Sequence, residues 1–136
     1  MCPPFLLLLM ASSSIVFAAT SQATIIDSGS TNRPGVRVIV NESGDRVVVE
    51  QRDGTQVETT IPKKIRERFL RDIEAAAPLD VLPVGRCMKS ASFGSRLYVE
   101  SNGVRTADLA CFPQPDPRAE ALRKDAEDIL HLAQSR

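Results

Sequence analysis

The sequence predicts an α+β domain. It should be a small antiparallel sheet, a three-stranded meander plus a hairpin, with two amphipathic helices on one face in the order βββ-α-ββ-α and one disulfide. Three observations predict this. Short β-branched runs are separated by Asp53-Gly54 and Asn102-Gly103, two-residue turn signals. Two later stretches carry apolar residues at helical spacing. Two cysteines, Cys87 and Cys111, remain once an apolar leader is set aside.

The leader comes first in the chain. Phe5 to Met10 is an apolar run, three serines interrupt it, Ile15 to Ala19 resumes it, and no charged residue precedes Asp27. A short apolar segment followed by small residues reads as a secretory signal peptide, here residues 1–23. Small residues place a cut after Ala18 or after Ala23, the second being preferred. A membrane anchor needs about 20 unbroken apolar residues, which this stretch lacks. The missing basic start is atypical, and an uncleaved apolar anchor is the competing reading. The protein is then expected to be secreted or periplasmic, with no membrane contact after cleavage. Residues 24–35 are polar and turn-rich and read as a flexible leader. Residues 36–136 form a single domain with a modest core.

Val36 to Val40 and Arg46 to Arg52 are β-branched strand patterns on either side of a polar loop. Asp53-Gly54 turns the chain into a third strand that ends at Ile61. Pro62 suits a first helical turn. Ile65, Phe69 and Ile73, with Leu70 and Ala76, make one apolar stripe, and Pro78 stops the helix. Leu79, Val81, Leu82 and Val84 are too apolar to be left in water and should lie on the core. After residues 86–94, RCMKSASFG, the Asn102-Gly103 turn should set Glu100 opposite Arg105 and Ser95 opposite Ala110. Asp116 caps a last helix with Pro117 at its first position. Its stripe is Ala119, Leu122, Ala126, Ile129, Leu130 and Ala133. Glu120–Lys124 and Lys124–Asp128 are paired on its outer side.

Composition narrows the function. Seventeen basic residues balance 17 acidic ones, and there is no Trp and one Tyr. Neither nucleic acid nor an anionic membrane is implied as partner. Cys87 and Cys111 are an even pair in an oxidising compartment, and bridging them would stabilise the domain by roughly 3–4 kcal/mol. Zinc needs about four ligands and a redox pair usually has Cys-x-x-Cys spacing, so neither competes well. The bridge would make RCMKSASFG a closed loop, with Cys87, Met88, Ala91 and Phe93 as its buried candidates.

A catalytic reading of that loop would use Ser90 or Ser92 with Lys89. Lys89 adjoins Ser90, so in a strand their side chains point to opposite faces. His131, the only histidine, lies at the end of the last helix. No glycine-rich phosphate loop and no metal-ligand run occurs, so no cofactor is expected. Lys89, Ser90, Ser92 and Phe93 therefore form a candidate interaction loop. Lys63, Lys64, Arg68 and Arg71 form a candidate basic strip on the first helix, where Arg66 adds a further cation. Interleaved acids make a solvated face the competing reading of that strip.

From about Val36 to Leu132, the layout resembles small bacterial domains, emfourin-like inhibitors of thermolysin-type proteases being the nearest named family. The resemblance rests on element order and length, and it carries over no inhibitory residue. The expectation is an exported, non-catalytic protein-binding module, an enzyme inhibitor being one form of it. A small hydrolase using the 89–95 loop and a structural envelope protein are the competing expectations.

Overall fold

The structure, a computed structural model, describes residues 22–89 and 94–135. The strands are β1 (Gln22–Asp27), β2 (Val36–Asn41), β3 (Arg46–Gln51), β4 (Gln56–Thr60), β5 (Leu97–Ser101) and β6 (Val104–Arg105). The helices are α1 (Lys63–Ala76) and α2 (Pro117–Gln134), and a single 3-10 turn spans Leu79–Val81. No described helix is long and apolar enough to cross a membrane. The expected α+β class, antiparallel sheet, two helices and disulfide all stand. The sheet, however, is one piece of six strands in the order β4-β3-β2-β1-β5-β6.

The residues expected to be a flexible leader supply the strand that joins the two parts. β1 pairs antiparallel with β2 on one side and β5 on the other, Ile25 lying opposite both Val38 and Val99. Ile25 is fully buried. Buried Asp27 ends the strand, accepting from the Gly29 N–H at 2.9 Å and from Arg33 at 2.7 Å. These charge-assisted bonds allow a carboxylate to sit inside. The following loop is tight, and Gly29 has φ +68° with no room for a Cβ, which would lie 2.4 Å from the Arg33 carbonyl oxygen.

One face of the sheet is the core. Ala23, Ile25, Val36, Val38, Val40, Val47, Val49, Leu97 and Val99 are buried there with Phe69 and Ile73 of α1. Every residue of the expected α2 stripe, Ala119, Leu122, Ala126, Ile129, Leu130 and Ala133, is buried in the same cluster. Asp116 caps α2 by accepting from the Arg118 N–H at 2.8 Å. Lys124 reaches Glu120 at 4.0 Å, whereas Asp128 bonds to Arg68 of α1 instead of Lys124.

Three local expectations need correction. Only Gly54 has positive φ in the β3–β4 turn, where the Gly54 N–H bonds back to the Gln51 carbonyl. That is a three-residue connection in which glycine takes the left-handed position, not a two-residue turn. At the other hairpin both Asn102 and Gly103 have positive φ, and Glu100 does face Arg105. The returning strand is short, though. After Arg105 the Thr106 N–H bonds to the Val99 carbonyl and the Leu109 N–H to the Leu97 carbonyl. The unequal spacing of those bonds accommodates Asp108, whose carboxylate accepts from the Leu97 N–H at 2.9 Å. Among the linker residues Leu79 and Leu82 are buried, while Val81 stands 67 % exposed.

Candidate functional site

The disulfide forms, with Cα atoms 5.5 Å apart across 24 residues. It ties the segment before the β5–β6 hairpin to the chain leaving it. Cys111 is buried, but Cys87 and Met88 are exposed, contrary to their expected place among the loop's buried residues. Ala91, together with Ser90, Ser92 and Phe93 of the candidate loop, lies outside the described residues. Lys89 is described, and its ammonium donates to Asp108 at 2.5 Å and to the Ser95 carbonyl at 2.9 Å. The Asp108 carboxyl loses solvent by burial. Bonds from Lys89 and the Leu97 and Ala110 N–H groups nevertheless hold it below its usual range. The pair fastens Lys89 to the hairpin, so its ammonium is taken up by these two oxygens.

The basic strip is half spent within the fold. Lys63 pairs with Glu67 at 3.7 Å. Arg68 spans the helices to Asp125 at 2.6 Å and Asp128 at 3.0 Å. Lys64 and Arg71 remain exposed without an ion pair among the described residues. Arg66, expected on a solvated face, is buried, and its Nε and Nη1 have no hydrogen-bond partner. Beside Arg68, burial pushes the Asp125 carboxyl up, and the neighbouring Asp72 carboxyl adds to this against the pull of Arg68; Asp125 Oδ2 is buried without a hydrogen-bond partner. On the far side of α2, buried Arg123 is matched. It donates to Glu120 and Glu127 and lies under the Phe112 ring at 4.7 Å.

The features that sequence reasoning missed lie on the other face of the sheet. Thr24, Ile26, Ile39, Val48 and Tyr98 are half-buried there, with no helix above them among the described residues. Register makes them contiguous: Ile39 lies opposite both Thr24 and Val48, and Ile26 opposite Tyr98. Charges of both signs ring this centre. Arg46 meets Glu58 at 3.1 Å, Arg105 meets Glu100 at 3.1 Å and lies 5.3 Å from the Tyr98 ring centroid, and Arg37 stands opposite Glu50. An apolar centre inside a polar rim is the anatomy of a protein-binding patch. A signal was present in VRVIV and RVVVE, whose apolar residues fall on both parities instead of one.

Two concavities complete the surface. An apolar groove of about 290 Å³ lies between Leu70, Ile73 and Pro78 on one side and Ala23 and Val104 on the other. A polar cleft of about 330 Å³ brings Asp27, Ser95 and His131 to one wall. Those three residue types can make a catalytic triad, but the bonds are wrong for one. Asp27 is bonded to Gly29 and Arg33, and the Ser95 hydroxyl accepts from Arg33 at 3.3 Å. Among the described residues no group of three or more His, Cys, Asp or Glu could hold a metal ion. No protein-family model, curated protein or solved structure matches this chain.

Proposed function

We propose that the protein is an exported, disulfide-stabilised domain that acts without catalysis, by binding another protein through the uncovered face of its sheet. The observation that supports this reading is the pair of adjacent cross-strand contacts, Ile26 with Tyr98 and Ile39 with Val48, inside a rim of mixed charge. The partner it suits is a folded protein offering an apolar spot with both signs of charge around it. An enzyme inhibited by the domain is one form of that partner. The hydrolase reading lacks equivalent support, because the Lys89 ammonium is committed to Asp108.

Affinity capture from the native compartment tests the reading, with the wild type run beside Ile39→Lys. A partner retained by the wild type and lost with Ile39→Lys supports it; one retained by both refutes it.

Export is supported by the disulfide, which suits an oxidising compartment. Cleavage after Ala18 is the better placed of the two sites, a revision of the preferred one. A cut after Ala23 would remove a buried residue paired with both Val40 and Ser101. Intact mass of the mature protein should show an N-terminus upstream of Gln22. Full-length chain in the membrane fraction would refute processing.

A further inference from the structure

We propose that two copies of this chain pair through β4, antiparallel and about a two-fold axis at Val57, extending each sheet into the other. Among the described residues β4 is an edge strand, bonded only to β3. Its pairing alternates. The Gln51 N–H bonds to the Thr55 carbonyl and the Ile61 N–H to the Asp45 carbonyl, so odd-numbered residues face β3. The N–H and C=O groups of Gln56, Glu58 and Thr60 therefore point away from the sheet, and none has a backbone partner among the described residues.

Edge strands normally carry protection: proline, lysine, a bulge or great shortness. The far edge has it, since β6 is two residues long and its continuation past Arg105 is bulged around Asp108. β4 has only the charge of Glu58, which Arg46 of β3 partners. It runs Gln56-Val57-Glu58-Thr59-Thr60 without interruption, and its Val57 is 55 % exposed.

The sequence of β4 is complementary to itself in one register. With Val57 on the axis, each Val57 lies against its copy. Gln56 then faces Glu58 of the second copy, so no two like charges meet. The same register makes Gln56 and Glu58 hydrogen-bonded pairs, using the groups that point outward. It leaves the two Val57 residues as a non-bonded pair with Cα atoms about 4.5 Å apart. That spacing falls within the range a disulfide spans.

Three variants of the oxidised protein test this by sedimentation velocity over a rising concentration series, with non-reducing gels alongside. The wild type should double in mass as concentration rises. Val57→Cys should give a covalent dimer that reducing agent dissolves. Glu58→Pro removes an outward N–H, no backbone bond within the sheet and only the exposed ion pair with Arg46, and should remain a monomer with an unchanged circular dichroism spectrum. Val57→Lys, which alters only an exposed side chain, should also remain a monomer. This keeps the test decisive if the proline disturbs folding. A wild type that stays a monomer throughout, as an edge reserved for a foreign strand would require, overturns the proposal. So does a Val57→Cys variant that fails to cross-link, or a dimer that survives Val57→Lys.

Discussion

Ile25 and Ile26 are neighbours on one strand and identical in chemistry, yet one is sealed under the helices and the other faces water in part. Val38 and Ile39 repeat the contrast on β2, and Val47 and Val48 on β3. Two helices cover one face of the sheet, and the same strands carry apolar residues on both. The covered parity makes the fold. The uncovered parity is more apolar than folding alone requires, and that surplus is what a partner can use.

The contrast is most easily broken by trimming each neighbour in turn. Ile25→Ala should lower stability by about 2–5 kcal/mol, because it leaves a cavity in a packed interior. Ile26→Ala should lower it by about 1 kcal/mol, since that side chain is only partly removed from water. Urea midpoints of the two variants measure the difference, and equal losses would erase the distinction between the faces.

Replacing Cys87 and Cys111 together by Ala should lower stability by roughly 2–4 kcal/mol with the fold recognisable, the loss expected from reopening the closed loop. Because the bridge fastens the β5–β6 end rather than either sheet face, capture of a partner should survive it in the folded fraction. Circular dichroism and capture on the same variant check both parts.

A smaller effect comes from acid groups on the helical side. The Asp125 carboxyl is raised by burial and by Asp72, with Arg68 opposing and Asp128 beyond it. A raised carboxyl binds its proton more tightly folded than unfolded. Stability from this group is therefore fully present below the ordinary carboxylate value of 3.8 and is lost as pH rises from there through the raised value of about 7. Glu120 acts oppositely. Its bond with Arg123 holds it down to about 2, so its contribution is lost as pH falls from 4.5 toward that value. Melting temperature should therefore decline from pH 5 to pH 8 in the wild type, and Asp125→Asn should flatten that decline. A wild type that gains stability across the same interval would contradict the assignment.

Much of this was readable from the residues. The α2 stripe is regular over four turns and sits beside a well-formed Asp116-Pro117 start, so periodicity alone located its buried face. Cys87 and Cys111 were the only bridgeable pair. β1 was not readable, because its two isoleucines are followed at once by Asp27, Ser28 and Gly29, residues that favour turns. Its strand state comes from pairing on both sides with segments far away in sequence. Arg66 was hidden for a similar reason: helical periodicity shows which residues share a face, but not how far the sheet extends beneath that face. The uncovered patch spans β1, β2, β3 and β5, and no one segment displays it.

The most direct test of the central claim uses methyl groups. With the captured partner added to labelled protein, methyl resonances of Ile26, Ile39 and Val48 should shift, while those of Ile25, Val38 and Val47 stay in place. Shifts confined to Met88 and its loop, or to Leu70, Ile73 and Val104 around the apolar groove, would contradict it.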